Sequence, residues 1–173
     1  KKIRLHSSPK KEASLLYTSG TSGKPKGCIL SQEYEIEAGF WYANKKGYIS
    51  IRVGKERLLN PLPVNHINSS VFSFFAVLLT GNCQIQVDKF HASSWWKDVT
   101  SSRATIIHYL GIIAPVLIKK KYSIYEKKHC VRIGIGAGIE PNIHKIFEKR
   151  FGFPMIEIWG MTEMVRCLFD YKN

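Results

Sequence analysis

The chain has 173 residues, of which 45% are hydrophobic and 23% charged, the proportions of a globular domain able to bury a sizeable core. No apolar run reaches the ~20 residues of a membrane-spanning helix, and the opening residues lack the pattern of a secretory leader. The net charge of +13 suits anionic partners, but the lysines fall in separate clusters (Lys1–Lys2, Lys10–Lys11, Lys45–Lys46, Lys119–Lys121, Lys127–Lys128) with no nucleic-acid-binding motif beside them, so a specific nucleic-acid role is not indicated.

In chain order, residues 1–11 are basic and polar and read as a flexible N-terminal segment. Ala13–Tyr17 is a short apolar run, the pattern of a buried strand. It feeds Tyr17–Thr18–Ser19–Gly20–Thr21–Ser22–Gly23–Lys24–Pro25–Lys26–Gly27, a stretch of small hydroxyls, glycines and lysines. Glycines let backbone approach a ligand, hydroxyls and free N–H groups donate hydrogen bonds, and lysines add positive charge. The composition is also that of a flexible polar linker. Two lysines around a proline, directly after a hydrophobic strand, favour a phosphate-gripping loop between a strand and a helix. It is not a Walker A loop, because Lys24 is followed by Pro25 rather than Ser or Thr.

A helix is expected from Ser31, the N-cap, to about Lys45–Lys46–Gly47. Arg57–Pro63 is a strand entering a proline-marked turn that holds His66. Val71–Leu79 is nearly all apolar and reads as a buried helix closed by Gly81. Strands are then expected at Cys83–Val87, Thr105–Leu110, Cys130–Ile135 and Met155–Ile158. Helices are expected after Ser93 or Ser94 (with Trp95 and Trp96 as its packing face), over Ile112–Lys120, and from Pro141 to Gly152. Strand and helix alternate, and the strands are continuous apolar runs. The fold class is therefore α/β: a doubly wound, mainly parallel sheet with helices on both faces. Ligands of such sheets bind at the carboxyl ends of the strands. There lie the loop after Tyr17, His66, Gly136–Ala137–Gly138, and Trp159–Gly160–Met161–Thr162–Glu163.

The string from Tyr17 to Gly27 resembles the signature of the AMP-forming adenylating enzymes, which include acyl-CoA synthetases, luciferases and peptide-synthetase adenylation domains. Trp159–Glu163 is similar to that family's aromatic-Gly-x-Thr-Glu motif, with Trp where Tyr is usual. The resemblance implies that Thr18, Ser19, Gly20, Thr21, Ser22, Gly23, Lys24, Lys26 and Gly27 wrap the phosphates of ATP. It implies that Gly136, Ala137 and Gly138 line the adenine pocket, although Gly138 stands where proline is common. It further implies that Trp159 stacks on adenine beside Gly160 and Met161, Thr162 contacts phosphate, and Glu163 holds Mg²⁺. These roles suit the residue types: a π face for a base, a small donor for phosphate, a hard oxygen for magnesium.

His66, in Pro-Leu-Pro-x-x-His-Ile-Asn, is similar to the histidine between the ATP and acyl pockets of acyl-CoA synthetases, and favours a carboxylic acid over an amino acid. A histidine capping the following helix would give the same local sequence. The wording around His66–Asn68, Phe147–Gly152 and Gly160–Glu163 looks most like the crotonobetaine/carnitine–CoA ligase branch. The activity implied is ATP-dependent formation of an acyl-adenylate, then of a thioester with CoA. The resemblance spans nearly the whole chain but stops before the family's ribose-binding Asp and C-terminal Lys. Residues 1–173 are thus expected to be one α/β domain, a fragment of a larger AMP-binding domain, incompetent alone. A non-catalytic nucleotide-binding or interaction module is the alternative. Sheet faces left without neighbours would favour a homo-oligomer. Cys28, Cys83, Cys130 and Cys167 have no metal or redox spacing and read as reduced thiols of a cytoplasmic protein. The remaining histidines, His6, His91, His108, His129 and His144, carry no ligand spacing and read as surface or core residues.

Overall fold

A computed structural model of the protein describes residues 8–20 and 23–170. The first strand, β1 (Glu12–Thr18), pairs antiparallel with β2 (Lys26–Ser31), and the two form a separate two-stranded sheet. Alternation turns Leu16, Cys28 and Leu30 inward and leaves Leu15, Tyr17 and Ile29 exposed. Helix α1 (Gln32–Ala43) follows, with the Ser31 hydroxyl accepting the Tyr34 N–H as a cap. It ends at Asn44, short of the lysine pair.

The main sheet holds β3 (Arg57–Asn60), β4 (Cys83–Gln86), β5 (Ile106–Leu110), β6 (Ile133–Ala137), β7 (Met155–Trp159) and β8 (Leu168–Phe169). Their spatial order is β4-β3-β5-β6-β7-β8, all parallel except β8, which runs antiparallel against β7. The connections are a π turn at Asn68–Ser73 continuing into α2 (Phe74–Leu79), then α3 (Trp95–Ser101), α4 (Ile113–Lys119) and α5 (Pro141–Phe151). The chain moves outward from β3 to β4, then crosses back to β5 and continues the other way. The reversal lies between β3 and β5, where α/β sheets open a crevice for ligands.

Both faces of the sheet are buried. Leu58, Ile106, Ile133, Ile135 and Ile156 pack with Ala38, Tyr42, Ala76 and Val77 of α1 and α2. Leu59, Ile107, Tyr109 and Met155 pack with Trp95, Val99, Leu117, Phe147 and Phe151 of α3, α4 and α5. Neighbouring residues of one strand serve opposite cores, which is why the strands read as unbroken apolar runs. Helices α1 and α2 approach so closely that a Cβ on Gly39 would stand 2.2 Å from Cβ of Phe75.

The amino-end rim is tied by one carboxylate. Glu56 is 2% exposed. It accepts from Arg52 Nε at 2.7 Å and Arg132 Nε at 2.9 Å, and from the Thr105 hydroxyl. These groups precede β3, β5 and β6, so the rim opposite the ligand crevice is fastened by charge.

Three expectations need correction. The glycine-rich loop joins two strands of a hairpin rather than a strand and a helix, because Cys28–Leu30 find partners in β1. The hairpin forms a sheet of its own, its Leu16, Cys28 and Leu30 packed into the core that Leu58, Ile106 and Ile133 share. Helix α2 is not buried all round: Phe74, Leu78 and Leu79 are about half exposed. Ser94 starts α3 but bonds Asp98 Oδ2 instead of capping the helix. The expected flexible segment lies mostly outside the described residues; its described part folds back, with Lys11 O accepting Gln32 N–H and Pro9 O accepting Glu33 N–H.

Candidate functional site

At the carboxyl ends of β5, β6 and β7 the structure opens a cavity of about 120 Å³ on the α1 side. Its wall includes His66, Gly136, Ala137, Gly160 and Met161, all singled out from sequence, together with Trp41, Tyr42, Asn68, Phe72, His108, Leu110 and Ile135. Among the described residues, Gly138, Trp159, Thr162, Glu163 and those of the hairpin loop do not line it.

His66 sits in the turn after β3. Its N–H reaches Pro63 O at 3.0 Å, and its own carbonyl accepts the N–H groups of Ser69 and Ser70. The next segment winds as a π turn, a form that recurs at functional sites. The imidazole Nδ1 of His66 accepts the Asn68 N–H at 3.2 Å, which leaves Nε2 to carry the proton. His66 is exposed, yet partial desolvation lowers its pKa below the ordinary histidine value. It therefore presents a neutral ring at neutral pH.

Behind it lies a buried polar cluster that the pattern of residues did not reveal. His108 is 1% exposed. Its Nε2 meets the Tyr42 hydroxyl at 3.0 Å, and its Nδ1 meets Asn68 Oδ1 at 2.7 Å. Asn60 Nδ2 donates to Asn68 Oδ1 and Ser73 Oγ, each at 3.0 Å, while Ser73 donates to Asn68 O. Burial pushes the His108 pKa down to about 3, so the ring is neutral.

The Gly136–Gly138 turn needs its glycines. A Cβ on Gly136 would lie 2.2 Å from Tyr109 O. Gly138 adopts φ +85°, a left-handed conformation that proline, fixed near −65°, cannot take. The usual proline is thus replaced by a backbone of different shape. The turn is held by Glu157 of β7, whose carboxylate accepts Gly138 N–H at 2.7 Å and the Tyr109 hydroxyl at 2.6 Å.

At the end of β7, Trp159 is 58% exposed. Thr162 is half-buried and Glu163 exposed. Tyr34 of α1 anchors this loop, its hydroxyl bonding the carbonyls of Thr162 and Met164. Burial first, then Cys167, Cys28 and Glu163, raise the Tyr34 pKa. Burial first, then Glu163, raise that of Cys28 in β2. The Glu163 charge is therefore felt by the hairpin that carries the glycine-rich loop.

In that loop, Gly20 and Gly23 have φ of +63° and +76°, and Gly23 N–H bonds Gly20 O at 3.2 Å. Thr18 pairs with Lys26 and Tyr17 with Gly27 across the ladder. Lys24, Lys26 and Gly27 are exposed, Thr18 half-buried and Ser19 exposed. Thr21 and Ser22 lie outside the described residues. Exposed lysines on a tight glycine turn fit a polyphosphate. Among the described residues no group of three or more His, Cys, Asp or Glu could enclose a metal. Glu163 is a single exposed carboxylate, and Mg²⁺ commonly takes one or two carboxylates and completes its shell with water and phosphate.

The family profile described as "AMP-binding enzyme" matches residues 3–172. The chain is 33% identical over 154 residues to the very long-chain fatty acid transport protein of Saccharomyces cerevisiae, covering 88% of this chain and 22% of that one. It is 32% identical over 171 residues to the sulfoacetate–CoA ligase of Cupriavidus necator, covering 94% of this chain and 31% of that one. Its fold is similar to that of O-succinylbenzoate coenzyme A synthetase from Bacillus subtilis in complex with AMP, with a TM-score of 0.77 and 23% identity over 93% of this chain and 33% of that one. The chain thus spans between a fifth and a third of the length of these proteins. The two relatives by sequence are named for fatty acids and sulfoacetate, not for carnitine-type acids. Among the described residues no helix is long and apolar enough to cross a membrane.

Proposed function

Because the chain belongs to the AMP-binding enzyme family, we propose that it carries the nucleotide grip of an AMP-forming acid–thiol ligase. A carboxylate oxygen attacks the α-phosphorus of ATP, the bond to pyrophosphate breaks, and pyrophosphate leaves. A thiol, CoA, then attacks the acyl carbon and AMP leaves. The observation that supports this best is convergence: His66, Gly136–Ala137 and Gly160–Met161 meet on one cavity at the end of the sheet.

In this reading Thr18, Ser19, Thr21, Ser22, Lys24 and Lys26 hold phosphate oxygens, with the turn at Gly20 and Gly23, and Gly27 at the start of β2, bringing backbone close. The bare backbone of Gly136, Ala137 and Gly138 and the exposed face of Trp159 flank the adenine. Thr162 donates to phosphate. His66 stands between nucleotide and acid, its Nε2–H available to an oxygen. Magnesium, when held by Glu163, supplies neutralisation of phosphate charge. No side chain needs to form a covalent bond; positioning and charge neutralisation carry the rate. The 173-residue chain by itself is expected to bind rather than turn over, since its relatives are several times longer. Its four free thiols fit the cytoplasm. The outward Leu15, Tyr17 and Ile29 of the hairpin support self-association.

Calorimetry with ATP tests the reading. Binding that strengthens with Mg²⁺ in the parent and loses that increment in Glu163→Gln is expected. Folded chain that shows no heat with ATP refutes the nucleotide site. ATP binding by the longest natural form without acyl-CoA formation would leave a non-catalytic module instead.

A further inference from the structure

The strand positions around His108 are filled by isoleucine: Ile106 on its own strand, and Ile133 and Ile135 on the neighbour, all in the same core. An imidazole at this place gives up its water, and only a full set of partners offsets that loss. The set is complete. Asn68 Oδ1 can only accept, so the proton sits on Nδ1 and points to it at 2.7 Å, and Nε2 is left to accept from the Tyr42 hydroxyl at 3.0 Å; Ser73 Oγ and Asn60 Nδ2 also face Nδ1, at 3.2 and 3.4 Å. His108 therefore has one tautomer, with both nitrogens engaged inside the protein. It has no hydrogen-bonding capacity left for a ligand.

What the cluster holds is Asn68. Its side-chain oxygen takes His108 and Asn60, and its carbonyl takes the Ser73 hydroxyl. With side chain and carbonyl fastened, the remaining polar group of its backbone, the N–H, has a set direction, and it points to Nδ1 of His66. Tyr42 on α1 and His108 on β5 are thus joined through Asn68 to a ring on the cavity wall.

We propose that His108 is a positioning residue for His66: through Asn68 it fixes the tautomer and orientation of the His66 ring, so that its N–H is aimed before any ligand arrives. The proposal rests on the reading of His66 as the wall between nucleotide and acid, but its test does not need ATP or activity.

Long-range ¹H–¹⁵N correlation spectra of the labelled 173-residue chain report each imidazole tautomer directly. In the parent, His66 is expected as the Nε2–H form alone and His108 as the Nδ1–H form alone. In His108→Phe, which fills the space without a donor, His66 is expected to lose its single tautomer and give averaged ring-nitrogen shifts. His108→Gln, which can still donate to Asn68, is expected to restore the Nε2–H form. Folded His108→Phe with His66 unchanged overturns the proposal. Tyr42→Phe, which removes one hydroxyl with little change in volume, gives an independent arm should His108→Phe not fold. It is expected to free His108 Nε2 and to broaden both tautomers. His108 redistributed with His66 still locked also overturns the proposal. A chain that shows the coupled tautomers but binds no ATP would refute the proposed function and uphold this inference.

Discussion

Replacing Glu56 with glutamine keeps the shape of the amino-end clasp and removes its charge. Burial raises the Glu56 pKa, but hydrogen bonds from Arg52, Thr105 and Arg132 outweigh it and bring the folded value from 4.5 down to about 2. A depressed carboxylate contributes stability that is fully present above its unfolded pKa and lost as pH falls through the folded one. The window therefore runs from pH 4.5 to about 2. At ~1.4 kcal/mol per pH unit, the clasp contributes about 3 kcal/mol at neutral pH. For a chain of this size that is roughly 10 °C of melting temperature. Melting curves of parent and Glu56→Gln, followed by circular dichroism, should differ by about that much at pH 7. The gap should close steadily as pH falls through the window, and the difference curve isolates Glu56 from the other carboxylates. A variant melting within ~2 °C of the parent at pH 7, or a gap independent of pH, would refute the reasoning.

Other substitutions probe the crevice rim. Lys26→Ala removes a charge-assisted contact worth ~1.5–3 kcal/mol, so ATP should bind roughly 10- to 100-fold more weakly by calorimetry; unchanged affinity would place the phosphates elsewhere. Gly138→Ala forces a side chain into φ +85°, at a strain of ~1–2 kcal/mol, and should lower the melting temperature by a few degrees. An unchanged melt would mean that the turn relaxes freely. Tyr34→Phe breaks the bonds to Thr162 and Met164. Amide exchange should accelerate across residues 162–167 while global stability falls by only about 1 kcal/mol; uniform protection in that segment would show that Tyr34 does not hold it.

Much of the main sheet was legible because burial on both faces writes itself as unbroken apolar runs, and glycine or proline marks most ends. Strand β2 was not, because its residues Lys26 and Gly27 belong to a loop signature and hide a strand whose only partner among the described residues is β1. Strand β8 has two residues and no periodicity at all. Phe74, Leu78 and Leu79 misled, since an apolar run does not say which face is covered. On the cavity wall, His66, Gly136 and Gly160 stand out in the sequence because their residue types are locally unusual. Tyr34, Tyr42, Asn68, His108 and Glu157 do not. Each has a partner between 19 and 130 positions away, a juxtaposition that only the folded sheet creates. A buried histidine among isoleucines is the one faint signal, and it needed the strand register to be visible.

The short antiparallel strand β8 has a thermodynamic effect beyond its size. Trp159 pairs with Leu168, so the segment carrying Thr162 and Glu163 is closed at both ends by a ladder, and Tyr34 grips its middle. The conformational entropy of that loop is lost when the chain folds, not when a ligand arrives. A ligand that seats on it meets donors already in place, and its affinity is not eroded by the ordering of a free loop. Two residues of edge strand thus shift a cost from binding to folding.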